Sequence, residues 1–134
     1  MSNSTIDIRS LITKEIRVGA QIKNHRGNYL KKDSNENEVD LCISKDGTFA
    51  IQDKHSRENL TFEGSSVSWR APNGQLSQRF ELHQSKEVDL PYGLFCLGNK
   101  KYLGVDLLSF LKIETLVSKS ALGGWESFQV RIVE

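Results

Sequence analysis

The chain has 134 residues, which is enough for one domain and too few for two ordinary ones. Hydrophobic residues make up 37% and charged residues 26% of it, a mixture typical of a soluble globular domain. Its 18 Lys and Arg balance 17 Asp and Glu, which gives a net charge of +1. This charge argues against a nucleic-acid partner, because proteins that bind nucleic acid present a basic surface. No apolar run approaches the ~20 residues that span a bilayer, and residues 1–15 lack the apolar stretch of a signal peptide. We therefore expect a cytoplasmic protein without a transmembrane segment.

In chain order, the first predicted element is an N-terminal extension over residues 1–15. Within it, residues 5–15 place Ile8, Leu11 and Ile12 on one side of a helix, although a short strand fits the pattern equally well. From residue 16 onward, short apolar or alternating runs are separated by turns rich in Gly, Asn and Asp. These runs predict eleven strands, at residues 18–23, 29–32, 39–44, 49–53, 60–63, 67–70, 79–83, 94–97, 102–106, 111–118 and 128–133.

An internal repeat relates three parts of this strand-rich region. Residues 22–33 and 96–106 both contain a strand, a tight turn with Gly and Asn, and then a Tyr-Leu pair. A weaker middle copy has Asn59 where the other two copies have Tyr. The repeat therefore makes Leu30, Leu60 and Leu103 equivalent positions, and we expect all three to lie in one core.

Three four-strand units predict an all-β β-trefoil, in which six strands close a barrel and three hairpins cover one end. Closure removes the exposed edges that an open sheet of eleven strands would have to protect. The units are residues 16–47, 48–90 and 91–134, so that residues 16–134 form a single domain. The first repeat is abbreviated, and one of its strands is expected to be absent or vestigial.

The repeat resembles that of the fascin-type β-trefoil family. The resemblance covers nearly all of residues 16–134 and is carried by Gly27-Asn28-Tyr29-Leu30, by residues 46–52, by residues 92–103 and by the closing motif Trp125-Glu126-Ser127-Phe128. It implies a binding protein that is not an enzyme, with no catalytic residues, actin filaments as one partner, and Trp125 in the core. Three departures are Asn59 in place of Tyr, the truncated first unit, and one trefoil where fascin has four. Cross-linking of filaments needs two sites, which one domain supplies through a homodimer or through two faces.

Groups that could carry catalysis or bind a metal are sparse in this sequence. His25, His55 and His83 lack the close spacing of metal ligands, and exposed turns explain the first two. The sequence contains no nucleophile elbow, phosphate-binding loop or zinc-binding helix motif, so we expect no enzyme activity and no cofactor. Cys42 and Cys96 lie in apolar runs, which favours two buried free thiols over a disulfide or a catalytic thiol.

The predicted ligand-binding residues are Trp69, Arg70, Asn73 and Gln75, in a strand and the polar turn after it. A pyranose stacks its C–H face on an aromatic ring while amides and a guanidinium bond its hydroxyls. This cluster favours a lectin-like module that binds carbohydrate or a glycoprotein, although the Gln-x-Trp repeats of ricin-type lectins are absent. In the alternative, Trp69 shares a strand face with Val67 and packs inside the barrel. The alternative function is a fascin-like protein that binds actin or the cytoskeleton.

Overall fold

A computed structural model describes residues 16–32, 36–108 and 113–133. The predicted N-terminal extension, with its helix or strand, lies outside the described residues. Two one-turn 3-10 helices, Leu76–Gln78 and Gly124–Glu126, precede the sixth and tenth strands. The described strands are β1 (Ile16–Lys23), β2 (Val39–Ile43), β3 (Phe49–Gln52), β4 (Asn59–Glu63), β5 (Ser66–Arg70), β6 (Phe80–Glu87), β7 (Leu90–Cys96), β8 (Lys101–Leu108), β9 (Ile113–Lys119) and β10 (Gln129–Val133).

Six of these strands close into a barrel. Antiparallel pairing runs from β10 through β1 and β2 to β3, and from β6 to β7. Phe49 pairs with Phe80 to join β3 to β6, and a bridge between Tyr92 and Phe128 joins β7 to the residue before β10. Because alternate side chains of each strand point into the ring, the apolar ones form one core, and the predicted β-trefoil is confirmed.

The remaining four strands form two hairpins, one in each of the second and third units. Strand β4 pairs with β5 and β8 with β9, and the two hairpins meet where Ser66 pairs with Val117. In the first unit, the predicted strand at residues 29–32 is reduced to a single bridge between Tyr29 and Lys23. Among the described residues between Leu30 and Val39, none belongs to a strand, so the first repeat is abbreviated, as predicted.

The three units share one register. In each unit, a buried aliphatic residue is followed by the first member of a cross-strand pair. The second member of that pair is followed by one of the three predicted leucines. All six aliphatic residues are at most 6% exposed and lie in one hydrophobic cluster, which confirms the three leucines as equivalent core positions. The pairs are Lys23 with Tyr29, Gln52 with Asn59 and Phe95 with Tyr102; the aliphatic residues are Ile22, Ile51, Leu94, Leu30, Leu60 and Leu103.

The expectation that Trp125 serves the core is wrong. Phe128 takes that position and is fully buried, whereas Trp125 lies on the 3-10 helix and is 44% exposed. A 3-10 turn before the closing strand breaks the alternation of faces, so Trp125 points outward. Its ring packs against His25, with centroids 4.2 Å apart. His25 is consequently half-buried, and its two ring nitrogens are enclosed without a described hydrogen-bond partner.

We predict that Leu103→Ala lowers the free energy of unfolding by about 2–5 kcal/mol, because it removes a fully buried side chain and leaves a cavity. Denaturant unfolding measures the loss. Val88→Ala is the control, since Val88 is 84% exposed and its truncation removes no core contact. An unfolding midpoint for Leu103→Ala equal to that of the wild type would contradict the core assignment.

Candidate functional site

A groove of about 210 Å³ lies on the outer surface of the barrel wall. One side is formed by β1, β2 and β3, where Arg17 pairs with Cys42 and Cys42 with Ala50 across the strands. The other side is the turn after β5, the strand that contains Trp69 and Arg70. The described lining residues are Arg17, Cys42, Ala50, Gln52, Asn59, Pro72, Gly74, Gln75, Gln78 and Arg79.

A row of buried side-chain amides forms the floor of the groove. Arg17 Nη1 donates a hydrogen bond to Gln52 Oε1, and Gln52 Nε2 donates to Asn59 Oδ1 at 3.0 Å. Asn59 Nδ2 in turn donates to Gln78 Oε1 at 3.2 Å. The three amides are at most 7% exposed, and each engages both its oxygen and its nitrogen, as buried polar groups must. This row fixes the orientation of the three buried amides that face the groove.

Gln78 ties the turn after β5 to the hairpin beneath it. Its Nε2 donates to Thr61 Oγ1 at 3.0 Å and to the Ala71 carbonyl at 2.9 Å. Its Oε1 also accepts the backbone N–H of Asn73 at 3.0 Å. The position of the groove's second side therefore depends on one fully buried glutamine at the end of the 3-10 helix.

Sequence reasoning missed Gln78, although a signal for it exists. Gln78 stands two residues before Phe80, and Glu126 stands two residues before Phe128. Both end a 3-10 helix, and Glu126 Oε1 accepts the Gly123 backbone N–H at 2.9 Å, so each side chain holds the turn before its closing strand. The repeated spacing of a long polar residue before a buried Phe is visible in the sequence.

Of the four predicted ligand-binding residues, one lines the groove and a second lies in the turn beside it. Gln75 lines it, and Asn73 shapes the turn by accepting the Gln75 backbone N–H on Oδ1 at 2.9 Å. Arg70 is exposed at the end of β5, where its Nε donates to Glu63 Oε1 at 3.1 Å. As ligand-binding residues, all four remain a prediction.

Trp69 lies on the other face of the β4–β5 hairpin. Asn59 pairs with Arg70 and Leu60 with Trp69, so alternation directs Asn59 toward the groove and Trp69 toward the core. The Trp69 ring is half-buried and, like Val67, packs against the hydrophobic cluster. The structure therefore brings Gln75 into the same groove as Arg17, keeps Asn73 in the adjoining turn, and leaves Trp69 out of the groove.

The equivalent position in the third unit is filled by side chains. Tyr102 pairs with Phe95 there, as Asn59 pairs with Gln52 in the second unit. The third unit has Leu122 four residues before Glu126, whereas the second unit has Gly74 four residues before Gln78. Leu122 lies so close to the wall that a Cβ on Gly93 would stand 2.6 Å from its Cδ1. The second unit, with glycine at this place in the turn, keeps the groove open.

A cluster of ion-paired side chains lies beside Arg17 at the end of the groove. Asp40 accepts Arg17 Nη1 at 3.3 Å and also lies 3.1 Å from Lys54 Nζ and 3.9 Å from Arg57 Nη1. The hydrogen bond to Asp40 is the main cause that raises the pKa of Lys54, so this lysine stays charged at neutral pH. Among the described residues, no group of three His, Cys, Asp or Glu side chains could hold a metal ion.

Both cysteines are buried and no disulfide joins them, which is contrary to the disulfide alternative. Cys42 lies on the groove wall, whereas Cys96 lies in the core. Burial raises the pKa of the Cys96 thiol, and its Sγ lies 3.6 Å from the Leu76 and Ser77 carbonyl oxygens. A raised pKa leaves less of the reactive thiolate at neutral pH, which supports the expectation of an unreactive Cys96.

Comparison with known proteins shows the fold and no family. No protein-family model and no curated protein sequence matches the chain. A designed threefold-symmetric protein, ThreeFoil, matches with a TM-score of 0.68 and 18% identity, covering 84% of this chain and 96% of that one. The structure of SeviL bound to asialo-GM1 saccharide matches with a TM-score of 0.64 and 15% identity over 87% of this chain and 98% of SeviL. The BEL β-trefoil matches with a TM-score of 0.67 and 12% identity over 87% and 93% of the two chains.

The chain has a β-trefoil fold. These similarities do not show the fascin-type family, so that resemblance stays a prediction from the repeat motifs. Within the described residues, the structure contains no helix with the length and apolar character needed to cross a bilayer.

We predict that Gln78→Leu destabilises the protein, because it leaves Asn59 Nδ2 and the Asn73 N–H without their acceptor inside the hairpin–turn contact. A buried polar group without a partner costs about 1–3 kcal/mol, and the loss appears as a lower denaturation midpoint. Gln84→Leu, at an exposed position on β6, is the matched control. Equal midpoints for the two variants would show that Gln78 does not hold the turn.

Proposed function

We propose that the protein is a non-enzymatic carbohydrate-binding β-trefoil module and that the groove beside β1, β2 and β3 is its ligand site. One observation carries the proposal. The second unit leaves open a position that the third unit fills with Leu122, and amide and guanidinium groups line this open position. Amides offer both donors and acceptors, and guanidinium offers donors, which together match the mixed hydrogen bonding of sugar hydroxyls.

Known trefoil structures support this choice of ligand class by analogy. SeviL is described as bound to asialo-GM1 saccharide, and it shares the fold with this chain over nearly its whole length. Because fold alone does not determine function, the analogy selects carbohydrate as the first ligand class to test. Which carbohydrate binds depends on the side chains of the groove.

The size of the groove limits the ligand and its affinity. At about 210 Å³ it is smaller than the roughly 300–1,000 Å³ of pockets that enclose drug-sized ligands. A groove of this size encloses a small part of a glycan, such as one sugar unit. We expect weak binding by each site, since little ligand surface is buried to offset the loss of freedom on binding.

A glycan array with titration calorimetry on its hits tests the site. Gln75→Ala should weaken binding about fivefold to tenfold, because the loss of one hydrogen bond corresponds to about 1 kcal/mol. Gln75 is exposed, so its truncation should leave the melting temperature unchanged. Gln84→Ala, at an exposed position away from the groove, should bind as the wild type does. Binding that is insensitive to Gln75 would contradict the groove as the site.

Trp69→Ala separates the groove from the predicted stacking site. Because the ring packs against the core, we expect a clear loss of unfolding free energy, below the roughly 3–5 kcal/mol of a fully buried Trp. Sugar binding measured below the transition temperature should persist, since the ring lies on the face away from the groove. The reverse result, lost binding with an unchanged melting temperature, would favour stacking on Trp69 instead.

Actin binding remains the alternative outcome, and co-sedimentation with filaments on the same preparation tests it. Such binding would depend on the Lys31-Lys32 and Lys100-Lys101 turns and would weaken as salt rises, because exposed charges are screened within about 10 Å at 0.1 M salt. The cytoplasmic location and the homodimer likewise remain predictions from the sequence.

A further inference from the structure

We propose that the carbohydrate bound in the groove carries an acidic substituent, a carboxylate or a sulfate, and that Arg17 binds this group. The inference rests on the proposed function and specifies its ligand class. Two observations suggest it: the described lining residues include two arginines and no aspartate or glutamate, and none of them is aromatic.

The absence of an aromatic ring from the described lining limits what a neutral sugar could gain. Neutral pyranoses obtain much of their contact energy by stacking an apolar C–H face on a ring, and ligand pockets are commonly lined by such side chains. Six of the ten described lining residues carry polar or charged side chains, so we expect hydrogen bonds and charge to supply much of the affinity. A charge-assisted hydrogen bond is roughly twice as strong as a neutral one, which favours an acidic ligand.

Arg17 is oriented for this contact before any ligand arrives. Within the described residues, all its side-chain hydrogen bonds leave from Nη1, toward Gln52 and Asp40, while its side chain remains 46% exposed. A guanidinium has five N–H donors in a planar fork, and two parallel ones match the oxygens of a carboxylate or a sulfate. Holding one nitrogen against the wall therefore leaves donors on the rest of the fork for an anion.

The surrounding charges favour an anion. The described ion pairs around Arg17 contain two further cations, Lys54 and Arg57, and two carboxylates, Asp40 and Glu38. One positive charge is therefore in excess within this cluster. Asp40, the carboxylate beside Arg17, has a side chain only 10% exposed and is shared among three cations, so it repels an incoming anion weakly.

The test uses matched glycans that differ only in the acidic group: a neutral glycan, its uronate or sialylated form, and its sulfated form. We expect the acidic forms to bind at least about tenfold more tightly than the neutral form at low salt, with a smaller ratio at high salt. The carboxylate and sulfate arms show which group is preferred. In Arg17→Gln the ratio should fall to about one, whereas Arg131→Gln, an exposed arginine on β10, should keep it.

Arg17→Lys is the second variant. It keeps a positive charge beside Asp40 and so covers the case in which Arg17→Gln destabilises the strands that form the groove. It removes the fork, so it should weaken binding of the acidic forms and leave the neutral form unchanged. Equal binding of neutral and acidic glycans would overturn the inference and leave the proposed function standing. An acidic preference that survives both variants would overturn the role of Arg17. No binding by any glycan would overturn the proposed function and the inference with it.

Discussion

Closure of the barrel is the constraint on which the rest of the structure depends. Six strands form a ring around one core because each unit places an aliphatic residue of a barrel strand inside it: Ile22 on β1, Ile51 on β3 and Leu94 on β7. Burial of this kind is non-directional and tolerant of chemistry, so the outer face of the same strands is free to differ between units. The threefold pattern is therefore strict inside the barrel and loose on its surface.

This difference between the two faces explains why one unit has a groove and another does not. The hairpin, the 3-10 helix and the closing strand are present in both the second and third units. A leucine or a glycine in the intervening turn, Leu122 or Gly74, then decides whether the space against the wall is filled. In a fold built from repeats, a binding site can arise at one copy while the others serve only packing.

The amide row gives the groove its chemical character and also connects it to stability. Gln52, Asn59 and Gln78 are buried, and each must satisfy its neighbours, so removal of one amide leaves the next without a partner. A neutral floor of amides bonded to one another holds Arg17 in place without cancelling its charge. The cation and the turn that faces it are thus fixed by the same hydrogen bonds.

The sequence by itself determined ten of the eleven predicted strands, the repeat and the three equivalent leucines, because alternation of apolar residues and turn chemistry are local properties. It also indicated the polar turn with Asn73 and Gln75, for the same reason. Only the tertiary structure decided which side of the hairpin Trp69 occupies, and it reversed the interpretation of Trp125. Which face of a strand points toward the core follows from its pairing with distant strands, because a shift of one residue exchanges the two faces. The meeting of Arg17 with Gln75 likewise depends on how the chain closes the barrel, which no local pattern records.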